Sequence, residues 1–181
     1  PHPMSRLLEG DVGSGKTIVA AAVSLNVVNQ WYQVAFMAPT EILARQHFEE
    51  FMRRLEPFRV SIGLLTSSES KKFPSKIAFK KSADVSKNQF LKFVESGDIK
   101  ILIGTHALIQ DKVKFKKLGL VIIDEQHRFG TEQRARLAKN KEEIRQLFGE
   151  DIGYLPYVAM HVRRAKNPIN PDEPAYSDNP F

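Results

Sequence analysis

Residues 10 to 17 read GDVGSGKT, which matches the pattern G-x-x-x-x-G-K-[ST]. The chemistry such a stretch can do is phosphate binding. Gly10, Gly13 and Gly15 free the backbone to curl until its N–H groups, that of Ser14 among them, converge on phosphate oxygens. The helix-like run IVAAAVSLNVVNQ follows at once, and the first turn of a helix adds a partial positive charge. Lys16 is placed to reach the β- and γ-phosphates of a nucleotide, and the Thr17 hydroxyl to ligate Mg2+. A Gly-rich turn that only caps a helix is the plain alternative. Two Gly, one Lys and one Thr at fixed offsets, with an apolar run before and a helix after, favour the nucleotide.

A phosphate cradle of this kind needs an acid to hold the metal, and LGLVIIDEQH, residues 118 to 127, supplies one at the end of an apolar run. Asp124 falls at the C-terminal end of that run, where open α/β sheets bind their ligands, and it is expected to hold Mg2+ through water. Glu125 is expected to orient and polarise an attacking water. Gln126 and His127 then fall near the γ-phosphate and are expected to couple to it. Surface acids often end strands, so this reading leans on the glycine-rich loop. The five His show no spacing typical of a metal-ligand set.

The elements that must position these groups alternate. QVAFMA, RVSIGLL, IKILIG and LGLVIID are short apolar runs without clear polar alternation, as in parallel strands covered on both faces. RLL, before the Gly-rich loop, is a candidate first strand. Between the runs, EILARQHFEEFMRRL sets Leu43, Phe48, Phe51, Met52 and Leu55 on one helical face until Pro57 stops it. NQFLKFVESG is a shorter helix ending at Gly97. The alternation predicts a doubly wound α/β fold, a mainly parallel sheet flanked by helices. Residues 66 to 92, rich in Lys and Ser, read as a solvated surface insertion. At the C-terminus, TEQRARLAKNKEEIRQLFGE has helical character, and NPINPDEPAYSDNPF reads as a disordered or extended tail.

The 181 residues are enough for one full-sized domain, with 42% hydrophobic residues to build its core. No run approaches the roughly 18 apolar residues a membrane span needs, and no signal peptide is visible, so no membrane partner is expected. The absence of Cys excludes disulfides and thiolate metal sites and fits a reducing cytosol. The net charge of +6 hints at a polyanionic partner. The chain starts with Pro and reads as a piece of something longer.

RLLEGDVGSGKT, MAPTEILARQH, LLTSS, IGTHALIQ and LGLVIIDEQHRFGTEQR occur in that order. Together they resemble the first RecA-like motor domain of superfamily 2 helicases, most closely the RecG type, over about residues 3 to 137. DEQHRFG, GTHALIQ and APTEILA separate it from the transcription-repair coupling factor and the primosomal helicase. The resemblance implies a RecA-like ATP-binding domain at 1–137, with ATP and Mg2+ as cofactors. It also implies a DNA partner, branched or forked, contacted along its backbone, and a second RecA-like lobe in the full-length protein. Pro39 and Thr40 would lie beside the DNA backbone, with Arg45 and Gln46 following on the helix; Thr105 and His106 would occupy a similar position. Helix capping is the competing role for Thr40 and Thr105. Arg128 would pair with an acid or couple the lobes.

Residues 138–181 do not align to that family: they lack its T-A-T or S-A-T tripeptide and read as a divergent tail. Arg163 and Arg164 lie there without an evident strand-and-helix frame. The motor reading competes with a non-motor P-loop protein, such as a small-molecule kinase or a nucleotide-gated interaction module, and with an inactive helicase fragment.

Overall fold

The computed structural model describes residues 4–11, 13–75, 81–110, 112–124 and 158–164. In chain order these form β1 (Met4–Gly10), α1 (Lys16–Asn29), β2 (Gln33–Met37), α2 (Glu41–Leu55), β3 (Ile62–Leu65), β4 (Ser70–Phe73), β5 (Ala83–Asp84), α3 (Lys87–Glu95), β6 (Ile101–Gly104), β7 (Leu118–Asp124) and β8 (Val158–Arg164). The strands make one sheet in the order β1-β8-β7-β2-β6-β3-β4-β5. From β1 to β3 every pairing is parallel, and only β4 and β5 are added antiparallel. The expected mainly parallel α/β sheet flanked by helices is therefore the observed fold.

The apolar runs form strands because both faces are covered. Val34 and Phe36 of β2, Ile101 and Ile103 of β6, and Leu120 and Ile122 of β7 join one core with Ala20 and Ala21 of α1 and Phe48, Phe51 and Leu55 of α2. The alternate residues face the other side. Leu102 packs with Phe90 and Val94 of α3, and Ala35, Met37, Val121 and Ile123 form a third cluster. Period-two alternation thus survives inside strands whose sequence looks continuously apolar. Leu43 and Met52 pack at the edge of the α1/α2 core, as their helical spacing predicts.

Two regions differ from expectation. The Lys/Ser-rich stretch is only partly a solvated insertion: it contributes β4, β5 and the start of α3, and it buries Phe73 and Phe90. Phe73 and Phe90 are the apolar anchors that its charge pattern hides. Secondly, the sheet does not end within the 1–137 domain. β8, from the 138–181 segment, is inserted between β1 and β7, so Arg163 and Arg164 do stand in a strand. The helix and Pro/Asn-rich tail expected elsewhere in 138–181 lie outside the described residues.

Two polar locks hold the loops, one at the N-terminal edge of the parallel strands and one at their C-terminal edge. Gln33, buried at 2% exposure, donates from Nε2 to the carbonyls of Val94 (2.9 Å) and Ile99 (2.8 Å), and its Oε1 accepts from the amides of Lys116 (2.8 Å) and Lys117 (3.1 Å). One side chain so pins β2, the turn after α3 and the approach to β7. At the surface, Glu41 in the first turn of α2 accepts from the Ser67 amide (3.1 Å), the Ser67 hydroxyl and the Ser68 hydroxyl (2.6 Å). The Ser67 hydroxyl, then that of Ser68, hold its carboxyl down at about 2, against the ordinary 4.5. Beside it, Arg45 pairs with Glu69, which also binds Lys71 at 2.6 Å.

Replacing Gln33 by Leu keeps the volume and strands the buried carbonyls and amides. We expect a loss of about 3 kcal/mol in urea unfolding, and a change below about 0.5 kcal/mol would show that the lock is idle. Glu41 contributes stability above its ordinary pKa, and that contribution is lost as pH falls from about 4.5 through its folded value of about 2. The melting-temperature gap between the parent and Glu41→Gln should therefore be present at neutral pH and close across that acid window. A gap that widened on acidification would contradict this.

Candidate nucleotide and metal site

Parallel pairing brings the C-terminal ends of β1, β8, β7, β2, β6 and β3 to one edge. β1 ends at Gly10, and the loop climbs from there into α1. Gly13 and Gly15 have φ of +82° and +87°, a left-handed geometry that side chains with a Cβ adopt at a cost. The Ser14 amide donates to the Asp11 carbonyl (3.1 Å), and Gly15, as the residue before the helix, offers no side-chain cap. The first turn of α1 contains no acid. Its amides thus meet neither a capping side chain nor a carboxylate of that turn, the situation in which an anion is stabilised at a helix start.

Lys16 is folded back over the loop. Its Nζ donates to the carbonyls of Gly10 and Asp11, both at 2.6 Å, and lies 3.4 Å from the Ser14 hydroxyl. The ammonium therefore spans the loop and neutralises the carbonyls at its rim. Carbonyl dipoles are weaker partners for a cation than phosphate oxygens, so an incoming phosphate can draw Lys16 off them. Thr17, next in the first turn of α1, stands beside it.

Asp124 closes β7 and is buried at 8% exposure. β8 is the single strand between it and the loop: Asp124 pairs with Val162, and Gly10 pairs with Arg164. The fold therefore brings Gly10, Gly13, Ser14, Gly15, Lys16, Thr17 and Asp124 to one stretch of one edge. A hydroxyl and a carboxylate are hard oxygen donors, which suits Mg2+, an ion that takes few protein ligands and completes its shell with phosphates and water. Glu125, Gln126, His127 and Arg128 lie outside the described residues.

The other edge residues take local roles. Pro39 follows β2, and Thr40 caps α2, its Oγ1 accepting from the Leu43 amide at 3.3 Å. Thr105, buried after β6, caps the short 3-10 turn His106–Ile109 by accepting from Ala107 at 3.5 Å, and His106 is exposed. Both threonines therefore serve as helix caps. The structure also brings in a residue the sequence reading missed. His47 of α2 donates from Nε2 to Asp124 Oδ2 at 2.6 Å. The two are 77 positions apart, and a lone His on a helix gives no sign of its partner.

A sequence profile described as DEAD/DEAH box helicase matches residues 3–155. The chain is 56% identical over 135 residues to the ATP-dependent DNA helicase RecG of Aquifex aeolicus, covering 75% of this chain and 15% of that protein. It is 47% identical over 148 residues to the RecG of Bacillus subtilis, covering 82% and 20%. The chain thus spans a fifth or less of the curated relatives it matches. Among solved structures, RecG bound to a three-way DNA junction superposes with a TM-score of 0.61 at 36% identity, covering 88% of this chain and 18% of that one. The helicase domain of Hef from Pyrococcus furiosus, at 19% identity and a TM-score of 0.57, shares the fold. With its glycine-rich loop and strand-end carboxylate on one sheet edge, this chain belongs to the DEAD/DEAH box helicases and is of the RecG type.

Proposed function

We propose that this chain is the ATP-binding motor lobe of a DNA helicase that couples ATP hydrolysis to translocation along, and remodelling of, branched or forked DNA. The observation that carries the proposal is the loop Gly10–Thr17 set one strand from Asp124 on a RecG-type sheet. In this reading the loop amides and Lys16 bind the β- and γ-phosphates. Thr17 and Asp124 would hold Mg2+, which when bound supplies charge neutralisation between the phosphates. Glu125 orients the attacking water, and Gln126 and His127 couple its position to the rest of the motor.

DNA is the proposed partner at the same edge, along Pro39, Thr40, Thr105 and His106. An exposed backbone amide or hydroxyl at a helix start suits a phosphate, and Thr40 can cap α2 and border such a contact together. Arg45 is already paired with Glu69, so its part in DNA binding would require exchange of that partner. A second RecA-like lobe is expected to complete the hydrolysis site in the longer protein. An arginine from such a lobe can be worth about 10³ to 10⁵ in rate. The 181-residue chain alone is therefore expected to hydrolyse ATP feebly, with no strand separation. The action proposed is cytoplasmic. Among the described residues no helix is long and apolar enough to cross a membrane.

Lys16→Ala is the first test. It removes the loop's one side-chain cation and should weaken Mg-nucleotide binding by ~10-fold or more in calorimetry; equal affinity in mutant and parent would sink the proposal. In the longer protein, Glu125→Gln should keep nucleotide bound and slow hydrolysis by about 10²-fold or more, while Asp124→Asn should raise the Mg2+ requirement. Loss of binding in Glu125→Gln with a silent Asp124→Asn would reverse the two roles.

A further inference from the structure

His47 is the side chain that ties the helix at the proposed DNA edge to the proposed metal carboxylate. It lies on α2, whose first turn follows Pro39 and the capping Thr40. His47 comes seven positions after Thr40, roughly 10 Å along the helix axis. The imidazole is held from below by Phe36 of β2, with ring centroids 4.6 Å apart, and Phe36 in turn packs edge-on against Phe51 of the same helix at 5.4 Å. With the ring so clamped, its Nε2–H donates to Asp124 Oδ2 at 2.6 Å, and both side chains are largely buried.

We infer that His47 is a positioning residue for Asp124: it fixes which carboxylate oxygen is left for the metal and links movement of α2 to that oxygen. The inference rests on the phosphate-site reading above. A buried carboxylate at a strand end keeps a defined rotamer only while its hydrogen bonds hold it. Outer partners of this kind orient the groups that hold a metal, and losing one commonly costs about 10- to 100-fold in metal affinity. α2 is a single stiff helix locked through Glu41 to Ser67 and Ser68, so a ligand that displaces its N-terminus displaces His47 with it. Asp124 is thereby sensitive to the DNA edge without any residue reaching from one site to the other.

The test follows binding of a fluorescent ATP analogue to the 181-residue chain while Mg2+ is varied, with a metal-free arm in chelator. His47→Ala should raise the half-saturating Mg2+ by about 10-fold and leave metal-free binding unchanged. His47→Gln, whose amide donor occupies the place of Nε2, should restore most of the parent midpoint, and His47→Asn, which is too short, should not. The Gln and Asn pair decides the matter if the Ala variant does not fold. A short single-stranded oligonucleotide should shift the Mg2+ midpoint in the parent and not in His47→Asn. An unchanged midpoint in Asn and Ala, a tighter one, or an equal loss in the metal-free arm overturns the inference. A parent without Mg2+-dependent binding overturns the phosphate-site reading itself, and this inference with it.

Discussion

Parallel pairing across β1, β8, β7, β2, β6 and β3 is the constraint from which the rest follows. A parallel sheet sends every strand's C-terminal end to the same edge and returns each chain to the far edge through a covering helix. The glycine-rich loop, Asp124, the caps at Thr40 and Thr105 and the turn at Thr66–Glu69 consequently line one edge, although they come from widely separated parts of the sequence. Both faces must be covered for this to be stable, and the two sets of alternating apolar residues in β2, β6 and β7 meet that demand.

On such an edge, polar groups that would be expensive in a core are satisfied locally. Glu41 is saturated by two serines, and at the opposite edge the buried Gln33 uses both ends of its amide. Lys16 rests on carbonyls it can exchange for stronger anionic partners. The edge is therefore rigid where α2 meets the Ser67 turn, and exchangeable at the loop where a nucleotide would enter. Phosphoryl transfer asks mainly for positioning and electrostatics from a protein, and a rigid edge with one exchangeable cation fits that demand.

The parts legible in the sequence were those written locally. The loop and its following helix, the strand ending in Asp124, the amphipathic face of EILARQHFEEFMRRL and the Gly97 stop all rest on residues within one or two turns of each other. What escaped depends on distant partners. His47 gains its meaning from Asp124, and Gln33 from four backbone groups in other elements. β4 was concealed because three of its four residues, Ser70, Lys71 and Lys72, are polar, and only Phe73 is buried. β8 did carry a local signal. Val158, Met160 and Val162 alternate with Ala159, His161 and Arg163, a period of two that the neighbouring Pro- and charge-rich sequence obscured.

The central claim is that the Gly10–Thr17 loop and Asp124 act as one Mg-nucleotide site. A crystal structure of this chain with a non-hydrolysable ATP analogue and Mg2+ measures that directly. The account predicts the triphosphate on the amides of the loop, Lys16 Nζ drawn off the Gly10 and Asp11 carbonyls onto phosphate oxygens, and the metal between Thr17 and Asp124. A nucleotide seated elsewhere, or Lys16 still on those carbonyls with the metal remote from Asp124, would contradict it.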